Sequence, residues 1–233
     1  MTTARALTCL ASEVQLEPLS FSACACQREL ILPLLCSLLA VSIAAPVQFA
    51  LQADFSQHVE LAKSLTKKLL SEIPTVHQSC IGTEGLSLES TTEMKNLEYL
   101  TAVLAIPPAP RLIPISETYT LEMSLSHIAE GLQLHQHLLQ EVKEKLKCPE
   151  KLTTLLADVR DLSAQVHKVQ QLAQITPPEP QIQSSSLSSH LTGDYEVQVA
   201  THLILQQLRN FGQDVFRSLR HIFTHSTLKH TTA

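Results

Sequence analysis

Glycine is scarce in this chain, only 5 of 233 residues, and tryptophan is absent. So little turn material argues against a β-sandwich or a glycine-kinked barrel. Neither G-x-G-x-x-G nor G-x-x-x-x-G-K occurs, so a glycine-rich phosphate loop is excluded. There is no run of basic residues and the net charge is −5, which argues against nucleic acid as the main ligand. No N-x-S/T sequon is present, because Asn96 and Asn210 are followed by Leu-Glu and Phe-Gly, so N-glycosylation is not expected. G-x-S-x-G is missing and the cysteines carry no Cys/His signature, so the chain reads as a non-enzyme with no cofactor. What is present is apolar: 44% hydrophobic against 17% charged residues, enough to bury a core.

The N-terminal end differs from the rest. Residues 1–29 have no periodicity and no assigned role. Leu30–Ile43 is an apolar stretch too short for a bilayer, which needs about 20 residues. It ends in Ser42 and Ala44, small residues that fit a signal-peptidase site. Residues 30–44 are therefore predicted to be a signal-peptide apolar region, with the mature chain, 45–233, secreted to the extracellular space. A buried N-terminal helix is the competing reading. Cleavage after Ala44 removes Cys9, Cys24, Cys26 and Cys36. Cys80 and Cys148 remain as an even pair in an oxidising compartment.

Four apolar stripes follow at helical spacing. The first runs from Phe55 through Val59, Ala62, Leu65 and Leu69 to Ile73 and is predicted to stop before Pro74. The second runs from Leu121 to Leu146. Pro149 opens the third, marked by Leu152, Leu155, Val159, Leu162, Val166 and Val169; proline suits a first helical turn, where its missing N–H would be unpaired anyway. The fourth extends from Val197 to Ile222. The connections between them are long, short and long, the third being rich in proline and serine. That pattern predicts an all-α, four-helix bundle, up-up-down-down, with two long crossover connections. Two two-helix domains on a Pro/Ser linker are the alternative, but two helices alone bury too little apolar area. In the bundle, Cys80 and Cys148 fall at one pole, where a disulfide is possible; an unpaired Cys80 is the other outcome.

Several segments together resemble one family. Leu104-Ala-Ile-Pro-Pro-Ala-Pro-Arg-Leu112 resembles a proline-bearing segment of its first crossover, and Gly131-Leu132 with Leu139 its helix-two signature. Asp158-Val-Arg-Asp-Leu162 is similar to an acidic patch on its third helix. Val199-Ala-Thr-His-Leu203 and Leu219-Arg-His-Ile222 are similar to pieces of its last helix. The family is the interleukin-6-type long-chain helical cytokines, in the branch of granulocyte colony-stimulating factor, and the resemblance covers roughly Val47–Thr224. Pro114 and Ser124 stand where its signature has cysteines, and His135 where it has an aromatic residue, so its small disulfide loops are not reproduced.

The resemblance implies a secreted cytokine, a monomer before engagement, that clusters a class I cytokine receptor ectodomain and drives granulocyte-lineage growth and differentiation. Another interleukin-6-type ligand and an apolipoprotein-like lipid binder are the alternatives; the lipid reading usually goes with more charge and shorter helices. It further implies a receptor-binding surface made of Asp158 and Asp161 on the third helix with Glu60, Lys63 and Lys67 on the polar side of the first. Without it, these are solvated helix faces. The 11 histidines invite a metal, but His135 and His137 point apart on a helix, and the i, i+4 pair His221 and His225 lacks a third ligand, so none is predicted.

Overall fold

The computed structural model describes residues 26–88, 99–146, 149–176 and 187–228, and side chains within them from Gln52, apart from Pro149 and 225–228. Among the described residues there is helix and loop and no strand, so the protein is all-α. It divides into two compact units, Met1–Val47 and Gln48–Ala233. Of the first unit the helical backbone from Cys26 is described. The long helices are α1, Cys26–Cys80; α2, Leu121–Lys143; α3, Pro149–Leu172; and α4, Asp194–Leu228. A one-turn helix, Leu187–His190, precedes α4.

The four stripes are the core. Val59, Leu69 and Ile73 of α1 are fully buried, as are Leu125, Ile128 and Leu132 of α2. Leu155, Val159 and Leu162 of α3 join Ile204, Leu208 and Val215 of α4 in the same cluster. Two connecting segments pack on it, through Leu104 and Ile106 in the first and Leu187 and Leu191 in the second.

One predicted boundary is corrected. α1 does not stop before Pro74 but continues to Cys80, with Pro74 exposed. A proline inside a helix loses a backbone hydrogen bond and crowds a carbonyl, at about 3 kcal/mol. The extra turns are held because Val76 and His77 are buried and Cys80 and Ile81 pack on the core.

The other ends follow local rules. Thr120 caps α2 by accepting from the Met123 N–H at 3.2 Å. α3 ends with Gln174 at φ 57°, where the Ile175 N–H reaches back to the Gln170 carbonyl and the Gln174 N–H to that of Gln171. Ala105, at φ 54°, closes the short helical turn 99–103 in the same way. Both are Schellman motifs, which glycine usually completes; here Ala and Gln take the left-handed conformation instead.

Between helices, the contacts run in opposite senses. Along α1 and α3, Gln165 Nε2 meets His58 Nδ1 at 2.6 Å, and further up α1 but further back on α3 Lys68 meets Asp158. Along α1 and α4 the succession is Lys63 over Phe223, Lys67 over Phe216, Leu70 beside Gly212, and His77 against His202. It finishes with Gln198 Oε1 accepting from the Gly82 and Thr83 N–H groups, both at 2.9 Å.

Candidate functional site: the seam between α1 and α3

Asp158 lies one step off the buried α3 stripe and points toward α1. It is 5% exposed. The expectation that it forms an exposed acidic patch with Asp161 is therefore corrected: the helix-helix approach covers it. Its Oδ1 accepts from Lys68 Nζ at 2.6 Å, while Oδ2 is buried with no hydrogen-bond partner. The Lys68 ammonium, on a side chain 53% exposed, also stands 3.7 Å from Glu72 Oε1. Lys68 and Glu72 are four apart on α1 and so lie one above the other along its edge.

This geometry sets the electrostatics. The hydrogen bond to Asp158 raises the Lys68 pKa, burial opposes it, and the charges of Asp158, Glu72 and Asp161 add to the rise. Glu72 is held above the usual carboxylate range, first by its side-chain contact with Asp158 and then by burial, with Lys68 pulling the other way. Asp161, one turn on from Asp158, is exposed.

The remaining predicted residues lie along a different edge of α1. Lys63 bonds Glu60 Oε2 at 2.6 Å, and its ammonium lies 4.5 Å from the centroid of the Phe223 ring on α4. Its side chain is only 13% exposed, so Lys63 is not the free cation of a polar face. Lys67 is exposed and stands 5.3 Å over Phe216. The single predicted surface is thus two seams: Asp158 and Asp161 face one side of α1, and Glu60, Lys63 and Lys67 the α4 side. Sequence reasoning missed Lys68 and Glu72. A signal was there, an i, i+4 Lys–Glu pair directly beside the stripe residues Leu69 and Ile73.

Two histidine features lie inside the bundle. His77 Nε2 and His202 Nδ1 are 2.8 Å apart, joining α1 to α4. Burial, with the neighbouring His202 second, lowers the His77 pKa to about 4. His135 is fully buried, and its Nδ1–H donates to the Gly131 carbonyl at 2.6 Å. Its ring stacks on Phe211 at 5.2 Å, and burial takes its pKa to about 4. A cleft of about 210 Å³ is lined by Gln133, Gln136, His137 and Gln140 of α2 and Arg160 of α3. There His137 Nε2 meets Glu141 at 2.9 Å.

Cys80, half-buried at the end of α1, is disulfide-bonded. Cys148, and the side chain of His225, lie outside the described residues. Among the described residues no group of three or more His, Cys, Asp or Glu could hold a metal ion. No helix among them is long and apolar enough to cross a membrane. A scan against protein-family models finds no match, and neither does a comparison with curated proteins.

Proposed function

We propose that the protein is a secreted helical cytokine whose long helices form an up-up-down-down bundle and whose partner is a class I cytokine receptor ectodomain. The observation that carries the bundle is the order of contacts. α1 meets both α3 and α4 in opposing sense, and α2 and α3 are joined by a short turn. α1 and α2 then run one way and α3 and α4 the other, as two long crossovers require. The Cys80–Cys148 bridge belongs to this reading. Gly82 and Thr83, just past α1, meet Gln198, while Lys145, just past α2, donates to the Ser188 and Leu191 carbonyls at 2.9 and 2.8 Å. One helix end thus reaches the start of α4 and the other the segment just before it. Peptide mapping of the non-reduced chain should recover Cys80 joined to Cys148; Cys80 joined to any other cysteine would overturn the topology.

Binding lies in surface charge rather than in a cleft. Glu72 and Asp161 offer carboxylates beside a buried Asp158 that fixes the register of α1 on α3. Charges so placed govern encounter rate and specificity more than affinity. The test is to add the protein to marrow progenitors and score colonies by lineage. Granulocytic colonies are the expected result, and no response in any lineage would sink the reading.

A further inference from the structure

We propose that the Glu72–Asp158 carboxyl pair is a proton-operated control on the charge that the α1–α3 seam shows to a basic partner. As the pH falls Glu72 takes up a proton and the seam's hold on that partner weakens. The second half rests on the receptor reading above; the first half does not.

The argument starts from the unmet oxygen. Asp158 is 5% exposed, Lys68 occupies its Oδ1, and its Oδ2 is buried without a hydrogen-bond partner. A buried carboxylate oxygen left unmet costs its desolvation in full. The neighbour able to supply a hydrogen is Glu72, whose Oε1 shares the same ammonium at 3.7 Å. As a carboxylate Glu72 has nothing to donate; as a carboxylic acid it gives one O–H. One proton therefore turns a repulsion between two anions into a charge-assisted O–H···O⁻ bond, among the stronger hydrogen bonds in proteins.

Among the described residues, four charged groups make up the pair and its surroundings. α1 brings Lys68 and Glu72, and α3 brings Asp158 and Asp161. Lys68 resists protonation of Glu72, but the two contributions from Asp158, together with burial, act in the other direction, and the Glu72 carboxyl stands above its ordinary range. The consequence for a partner follows from exposure. Asp158 is covered and cannot meet a partner's cation directly, so the outward negative charge is carried by Glu72 and Asp161. Protonating Glu72 removes half of it and leaves Lys68, half-exposed, as a like charge facing the basic partner.

The test has two independent arms. Carbon-13 carboxyl NMR on the purified chain follows Glu72 between pH 3 and 8. Its midpoint should lie above the usual glutamate value of about 4.3, and Asp158→Asn should bring it down. A wild-type midpoint at or below the ordinary value overturns the proton site, whether or not Asp158→Asn folds. In the second arm, binding to a class I receptor ectodomain that captures the chain at pH 7.4 is measured down to pH 5, above the range where His77 and His135 titrate. Wild type should weaken progressively, by up to about fivefold, the most an exposed ion pair contributes. Glu72→Gln should start at the weakened level and lose that share of the pH slope. An unchanged slope in Glu72→Gln overturns the control. Absence of any ectodomain that binds wild type would instead count against the proposed function, leaving the NMR arm to decide the proton site.

Discussion

The seam between α1 and α3 and the one between α2 and α4 solve the same packing problem with different chemistry. α1 and α3 are drawn together by polar groups: Lys68 on Asp158, and Gln165 on the ring and carbonyl of His58. α2 and α4 meet by shape. Gly131 has no side chain, and the Phe211 ring occupies the space where a Cβ would stand. His135, one turn along, lies nearly flat on the same ring with an interplanar angle of 25°. A seam closed by shape is changed mainly by filling or emptying it, whereas in one closed by charge the joining contact itself answers to a proton or a competing ion. Stability is therefore expected to reside mainly in the α2–α4 seam, and adjustable recognition in the α1–α3 seam.

The harshest way to break the comparison is to empty the shape-closed side. Phe211 is 3% exposed, and Phe211→Ala should destabilise by about 3–5 kcal/mol in chemical denaturation. Lys68→Gln, on the half-exposed side of the other seam, should cost clearly less. If Lys68→Gln proves the more damaging of the two, the division of labour between the seams is wrong.

Acid is the next lever, and it acts on both inner histidines. A histidine whose pKa falls to about 4 on folding binds its proton more weakly in the native state. The unfolded chain takes up protons first, so stability declines as pH drops from about 6.5 toward 4 and levels off below that. For fully buried His135 the loss is at most about 3 kcal/mol over that window. His135→Phe keeps a ring on Phe211 and removes the titration. It leaves no backbone group stranded, since the Gly131 carbonyl still accepts a helical bond. The stability difference between pH 7 and pH 4 should shrink by about that amount in the variant; an unchanged difference would place the acid sensitivity elsewhere.

Gly131→Ala overfills the same seam. The new methyl group would run into the Phe211 ring, and a cost of about 1–3 kcal/mol is expected. Shortening the ring side chain should make room, so Gly131→Ala combined with Phe211→Leu should cost less than the two changes added separately. Strict additivity in that double-mutant cycle would mean that the two positions do not share the space.

How far each seam was legible follows from the same contrast. Stripes at three- and four-residue spacing located the core because burial imposes that period directly on sequence. Every stripe residue of α3 from Leu152 to Val169 is fully buried. The sequence marks Gly131 only as part of the Gly131-Leu132 segment of helix two; its partner Phe211 comes from a distant helix, and no local pattern couples them. Asp158 is expected on the helix surface because its position is one step off the stripe, but whether such a position is covered depends on how closely the neighbouring helix approaches. Lys63 departs from its expected polar face for the same reason, its stem being covered along the α4 side. Pro74 suggested a helix end, and tertiary burial of Val76 and His77 overrode it.

The smallest expected effect concerns the helix that carries Asp158. α3 ends on Gln174 at φ 57°, and the short helical turn 99–103 ends on Ala105 at φ 54°, two residues before the Pro107 carbonyl that accepts from Gln207 of α4. A non-glycine residue there pays about 1–2 kcal/mol for the left-handed conformation. Glycine removes that strain but gains freedom in the unfolded chain, which returns about 0.5–1 kcal/mol. The net for Gln174→Gly is a stabilisation of about 0.5–1 kcal/mol, and for Ala105→Gly a similar gain. Ala157→Gly, at an exposed interior position of the same helix, should instead lose about 1 kcal/mol. Opposite signs in melting temperature for Gln174→Gly and Ala157→Gly would tie the gain to the left-handed cap. A loss at both positions would mean that Gln174 is held there by something other than its backbone.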